Sequence, residues 1–213
     1  MTLVVVTGTG TEIGKTWMTA ACARALRGRG AQVAARKPVQ SFDEGTTAPT
    51  DADVLAAATG QAPHDVCPEH RWLPLAMAPP MAARALGRPG FTIADLIAEI
   101  GDAPPATTLL VESAGGARSP LADDGDTVDL VRALHPALVV VVADAGLGTI
   151  NLVRLTVDAL APQRVTVYLN HFDALDPLHA ANLDWLATRE GLEAVTDIEA
   201  LVDRIVASSP VTG

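Results

Sequence analysis

A chain of 213 residues is long enough to bury a full hydrophobic core in one domain, and nothing in it calls for a second. Its 25 acidic against 15 basic residues give a formal charge of −10, which argues against a general binder of nucleic acid or of anionic membrane, since both are polyanionic. Aromatic residues make up only 3% while Ala, Val and Leu abound, so the core is expected to be aliphatic, and no apolar run approaches membrane-spanning length.

The first apolar run, Leu3–Val6, has the β-branched character of a buried strand. It leads through Thr7-Gly8-Thr9-Gly10-Thr11-Glu12-Ile13-Gly14-Lys15-Thr16 into a stretch with helical spacing, Lys15 to Arg29. A strand, a Gly-rich loop closing on Gly-Lys-Thr and a helix together make a phosphate cradle. Backbone N–H groups of the loop converge on phosphate oxygens, Lys15 neutralises the outer phosphates, and the Thr16 hydroxyl offers a ligand to magnesium. Thr9 stands where the simplest form of this loop has its first glycine.

A second strand, Val33–Ala35, ends at Lys37, which Pro38 biases toward an extended conformation. The polar stretch from Phe42 to Thr50 is expected to be a mobile loop, followed by a helix from Asp51 to Thr59. Asp51 and Asp53 compete as the acidic ligand there, and Asp51 serves equally well as an N-cap. Helical spacing recurs over Ala76–Leu86 and Ile93–Ile100. The strand Thr108–Val111 ends at Glu112, where an acidic group can hold magnesium or its water; Gly115 and Gly116 then permit close approach of a substrate or phosphate.

The helix Asp126–Leu134 and the strand Ala137–Ala143 precede a helix over Thr149–Leu160. Its start, Gly148-Thr149-Ile150-Asn151, offers free N–H groups to a carboxylate, or is an ordinary glycine-capped start. The strand Arg164–Leu169 ends at Asn170; a helix Leu178–Arg189 and a last strand Leu192–Thr196 follow. Strands alternating with helices specify an α/β class, here a three-layer P-loop NTPase fold with a mostly parallel central sheet flanked by helices, expected to form a single domain over 1–213. Ligands in such sheets lie beyond the carboxyl ends of the strands.

Four segments, in this order, resemble the dethiobiotin synthetase family. They are Thr7–Thr16, then Lys37-Pro38-Val39-Gln40-Ser41, then Val111-Glu112-Ser113-Ala114-Gly115-Gly116 with Pro120-Leu121 following, and Leu147-Gly148-Thr149-Ile150-Asn151. The resemblance runs to about Asp173. It implies closure of a cyclic urea from a vicinal diamine, 7,8-diaminopelargonate, with CO2 and ATP, through a carbamate and its mixed anhydride with phosphate. It implies catalytic roles for Lys37, Lys15 and Thr11, and ATP contacts from Thr9 through Thr16 with Asn170 at the base. Substrate contacts fall on Ser41, Lys37, Gly115, Gly116 and Gly148–Asn151, and Mg2+ falls on Thr16, Asp51 and Glu112. A homodimer, with the substrate tail carboxylate held across its interface, is implied by the same resemblance.

The chain departs from the family in three places. Ser113 replaces a glycine, beside the expected substrate; Ala76–Ala83 matches a Pro-x-x-Pro-His run only loosely; and the Gly-x-x-Pro adenine-side loop is missing, leaving Thr196-Asp197 at that place. Arg118 stands where the family often has an apolar residue, either to meet an acidic substrate group or to reach solvent. Two other readings stay open: a paralogous ATP-dependent ligase or carboxylase acting on another amine or acid, and a regulatory ATPase of the partitioning type. The latter is disfavoured because Gly10 stands where those proteins carry a lysine.

Cys22 and Cys67 cannot build a disulfide framework, Cys22 is expected to be a small buried thiol, and a reducing cytoplasm is the expected setting. The opening eight residues are too short and uncharged for a secretory leader, so none is expected. Cys67-Pro68-Glu69-His70 lacks a second ligand pair for zinc, and Trp17, Trp72 and Trp185 are expected to be packing residues.

Overall fold

Apolar residues on both faces of a strand demand a cover on both faces, and the runs Leu3–Val6, Leu109–Val111 and Leu138–Ala143 are apolar throughout. The computed structural model describes residues 1–45 and 47–209; Thr46, within the loop expected at 42–50, and residues 210–213 of the expected domain lie outside the described residues. In chain order come β1 (Thr2–Gly8), α1 (Lys15–Gly28), β2 (Gln32–Arg36), β3 (Gln40–Ser41), α2 (Asp51–Thr59), α3 (Pro63–Val66), β4 (Trp72–Leu73), α4 (Pro79–Ala85) and α5 (Ile93–Ile100). The second half contains β5 (Thr107–Glu112), β6 (Pro120–Ala122), β7 (Gly125–Asp126), α6 (Thr127–Leu134), β8 (Leu138–Asp144), α7 (Thr149–Leu160), β9 (Val165–Asn170), α8 (Pro177–Thr188), β10 (Ala194–Val195) and α9 (Ile198–Ala207).

Six strands form one sheet in the order β10-β9-β8-β1-β5-β2, and every pairing within it is parallel. Alternation along β1 divides the core in two. Val4 and Val6 pack with Met18 and Leu26 of α1, Leu55 of α2 and Leu201 of α9, whereas Val5 packs with Ala82 of α4, Leu96 of α5 and Leu130 of α6. A smaller cluster joins Val167 and Leu169 of β9 to Val153 of α7 and Leu186 of α8. This is the three-layer α/β fold expected of the sequence. Both cysteines are buried, and burial pushes each thiol up to about 12, so neither is a ready nucleophile. Among the described residues no helix is long and apolar enough to cross a membrane.

Several elements differ from expectation for local reasons. The helix expected over Ala76–Leu86 is shortened to α4, because Pro79 and Pro80 occupy its first positions and Pro79 disfavours helical backbone at Ala78. Thr50, not Asp51, caps α2: its hydroxyl accepts from the Asp53 N–H while the Asp53 carboxylate accepts from the Thr50 N–H. The last strand is reduced to Ala194–Val195, and α9 beyond it was not anticipated, although Ile198, Leu201, Val202 and Ile205 carry helical spacing and Asp197 accepts from the Ala200 N–H as N-cap. The two-stranded pairs β3–β4 and β6–β7 were likewise not anticipated, being too short for a periodic signal. Trp17 and Trp185 are 55% and 46% exposed, so the packing role expected of all three tryptophans holds only for Trp72, which meets Phe42 edge-on.

Candidate active site

Strand register assembles the site. Arg36 of β2 lies opposite Val111 of β5, so the next residues, Lys37 and Glu112, emerge side by side. On its other side β5 places Glu112 opposite Val6 of β1, two residues before the phosphate loop begins to turn away at Gly8. The loop then enters α1 through Gly14, held at φ 86, where a Cβ would lie 2.2 Å from the Asn170 amide nitrogen. Only glycine accommodates both the left-handed backbone and that approach. Glu12, also left-handed at φ 57, keeps its backbone strained within the same loop.

Four side chains from four elements converge here. Lys37 Nζ, 2% exposed, lies 2.7 Å from Glu112 Oε1 and 2.7 Å from Asp51 Oδ2, and donates to the Ser113 carbonyl at 3.3 Å. Thr16 Oγ1 is 2.8 Å from Asp51 Oδ1 and 2.7 Å from Glu112 Oε1. A hydroxyl carries one proton and can donate to only one of these carboxylates at a time, so the cluster holds more oxygen lone pairs than protons to fill them. Glu112 is fully buried and its Oε2 has no hydrogen-bond partner. Two carboxylates and a hydroxyl, with one buried oxygen left over, make a donor set suited to a hard divalent cation such as magnesium.

The electrostatics follow from this packing. Burial works to lower the Lys37 pKa, but Glu112 and Asp51 outweigh it and hold the ammonium charged above its ordinary range. For Asp51 burial works upward, and Lys37 with the Thr16 hydroxyl outweighs it to hold the carboxyl below its ordinary range. Lys15 behaves oppositely. Its ammonium folds back onto the Gly10 carbonyl at 2.7 Å, and burial, aided by repulsion from Lys37, lowers its pKa from 10.5 to about 8. That burial disfavours the charged form, at a cost present in full below about pH 8 that fades toward 10.5. Phosphate oxygens would restore the charge, so nucleotide binding should take up about one proton at pH 9 and weaken as pH rises above 8. Calorimetry in two buffers of different ionisation enthalpy reads this directly; a binding heat independent of the buffer would contradict it.

A cavity of about 610 Å³ opens over this cluster. Its polar lining includes Thr11, Glu12, Lys15, Thr16, Lys37 and Asp51. It is also lined by the exposed Trp17 and by Met77, Pro79, Gln40 and Ser119, none of which the sequence marks as a site residue. Ser41 lines it too, its hydroxyl donating to the Met77 carbonyl at 2.7 Å, as does Gly115. A Cβ on Gly116 would lie 3.5 Å from the Gly8 carbonyl, and Gly116 does not line the cavity.

Other expected positions fall apart from it. Ser113, expected beside the substrate, is fully buried and absent from the cavity wall. Arg118 lies outside the cavity wall and reaches solvent, 64% exposed, while pairing at 2.6 Å with Asp126, the N-cap of α6. Asn170 is 6% exposed, and its amide nitrogen donates to the Ile13 carbonyl at 2.9 Å, bracing the loop from β9. Gly148–Asn151 begins α7 as expected, with Gly148 left-handed at φ 92, but this segment also lies outside the cavity.

A parallel sheet, a Gly-rich loop feeding a helix, and a lysine and threonine at that junction define a P-loop NTPase-fold protein. The family described as an AAA domain matches residues 2–198. An ATP-dependent dethiobiotin synthetase of Rhodococcus jostii is 38% identical over 215 residues, spanning 98% of this chain and 91% of that one. The synthetase of Mycobacterium marinum is 41% identical over 168 residues, spanning 78% and 72%. The chain belongs to the family of ATP-dependent dethiobiotin synthetases. Among solved structures, a plasmid partition protein from Borrelia burgdorferi aligns with a TM-score of 0.58 at 9% identity, covering 97% of this chain and 96% of that one. Chloroplast FtsY from Physcomitrella patens aligns at 0.51 and 14% identity, covering 96% and 64%. At such identities these two share the fold alone.

Proposed function

We propose that this protein is an ATP- and magnesium-dependent ligase of biotin biosynthesis that closes the cyclic urea of dethiobiotin from 7,8-diaminopelargonate and CO2. The observation that carries this reading is the convergence of Lys37, Thr16, Asp51 and Glu112 within 3 Å contacts at the mouth of the phosphate loop. A phosphoryl transfer needs positioning and charge neutralisation more than a protein nucleophile, and this cluster offers those.

One amine adds to CO2 to give a carbamate and a proton. The carbamate oxygen attacks the γ-phosphorus and the bond to ADP breaks, giving a carbamic–phosphoric anhydride. The second amine attacks its carbonyl carbon, the C–O bond to phosphate breaks, and phosphate leaves as the urea closes; the remaining amine protons pass to solvent. Lys15 would balance the β- and γ-phosphates, and Lys37 would neutralise charge on the oxygen that links carbamate to phosphorus. Thr11 and Ser41 present hydroxyls on the cavity wall. Thr16, Asp51 and Glu112 would hold magnesium, which when bound neutralises phosphate charge; sites of this kind use one or two carboxylates and complete the shell with phosphate and water.

The start of α7 completes the reading. Gly148–Asn151 lies away from its own cavity, while Leu147 beside it is 90% exposed and Leu155, further along α7, is 61% exposed. Exposed apolar residues flanking a helix N-terminus support a homodimer in which one copy offers that terminus to the substrate carboxylate in the other's site. The test is phosphate release from magnesium ATP and bicarbonate with and without the diamine, with mass detection of product. Equal amounts of phosphate and cyclic urea, both dependent on the diamine, are expected. Nucleotide binding without urea would reject this substrate and leave the paralogous ligase reading.

A further inference from the structure

Asp51 reaches the cluster from the end of a stretch, residues 42–50, in which the described residues form no helix or strand. Closure through such a tether leaves the carboxylate free to wander unless something pins the start of α2. Gln40 is placed to do this. It lies in β3, three residues after Lys37, is 2% exposed, and spans the gap to α2 with both ends of its amide. Its Nε2 donates to Thr50 Oγ1 at 3.3 Å, and its Oε1 accepts from the Ala52 N–H at 3.0 Å. The two contacts fall on either side of Asp51. The Ala52 N–H is one of the orphan donors of the helix start, so Gln40 acts as a second cap in addition to Thr50.

We propose that Gln40 is the positioning residue that holds Asp51 against Lys37 and Thr16 and thereby sets the affinity for the divalent cation. The inference rests on the metal-site reading above and deepens it. The direction of each bond is fixed by its partners. Thr50 Oγ1 directs its own proton to Asp53 Oδ2 at 2.8 Å, so it must accept from Gln40, and the Ala52 N–H can only donate. An amide, with one donor and one acceptor, satisfies both, whereas a carboxylate at 40 would keep only the Ala52 bond and an apolar side chain neither.

The test is manganese binding to the intact protein in the presence of ATP, read by electron paramagnetic resonance, which needs no turnover. Gln40→Met should weaken manganese about tenfold and Gln40→Glu by less. Asp51→Asn should weaken manganese too, and adding Gln40→Met to it should cost nothing further, since Gln40 acts through Asp51. If Gln40→Met folds poorly, Gln40→Glu and Thr50→Val carry the same comparison. Additive losses would make Gln40 a merely structural residue and overturn the proposal. Unchanged manganese affinity in Gln40→Met alongside a loss in Asp51→Asn would overturn this proposal alone; no loss in Asp51→Asn would overturn the metal-site reading with it.

Discussion

Replacing Lys37 with Met is expected to destabilise the ligand-free protein by about 3–5 kcal/mol, because it strands a fully buried carboxylate without its counter-charge. Turnover should fall by roughly 10²–10³, the scale on which removing one transition-state charge partner acts. The two losses can be separated. Adding Glu112→Met to Lys37→Met removes the orphaned carboxylate and leaves apolar groups of similar length, so most of the stability should return while turnover stays lost. Urea unfolding of the nucleotide-free proteins and steady-state phosphate release read the two quantities. A Lys37→Met protein with turnover near wild type would remove Lys37 from the chemistry, and an unchanged unfolding midpoint would deny the buried pair its structural weight.

The second large effect falls on Glu112→Gln. One oxygen, Oε1, serves both Lys37 and Thr16, and the other has no partner. A glutamine keeps the shape, but it removes the charge that faces Lys37 and replaces one oxygen with an amide group. If Glu112 belongs to a magnesium site, the magnesium needed for half-maximal phosphate release should rise about 10–100-fold, with the diamine requirement unchanged. A magnesium titration of the variant beside wild type measures this. An unchanged titration curve would make Glu112 a counter-ion for Lys37 alone, and the donor set would then lack its buried member.

The frame of the molecule was legible wherever a strand is apolar on both faces. β1, β2, β5, β8 and β9 each lie within a residue or two of the apolar run that announces them, and in β1, β5 and β8 burial on both sides makes that signal continuous. The phosphate loop was legible because glycine, lysine and threonine are each required at one spacing. Site residues on strand ends, Lys37 and Glu112, could be named individually, but their adjacency depends on the β2–β5 register, which no local pattern encodes. The choice between Asp51 and Asp53 was likewise closed to sequence, and it turns on Thr50 taking the cap and occupying Asp53. Gln40 carried no signal at all: a glutamine in a two-residue strand acquires meaning only from the helix opposite. Trp17 was misjudged because the first turn of α1 opens onto the cavity while the later turns face the core. The helix α9 was available in the spacing of its Ile, Leu and Val residues and was passed over.

Whether Lys15, Thr16, Lys37, Asp51 and Glu112 form one phosphoryl-transfer site is decided by a crystal structure with magnesium, a non-hydrolysable ATP analogue and the diamine. The expected structure has the γ-phosphate between Lys15 and Lys37, magnesium on Thr16 with Asp51 and Glu112, and the diamine nitrogens facing Lys37 within the cavity. A nucleotide bound through the loop with its metal elsewhere and Lys37 still locked between its carboxylates would contradict it.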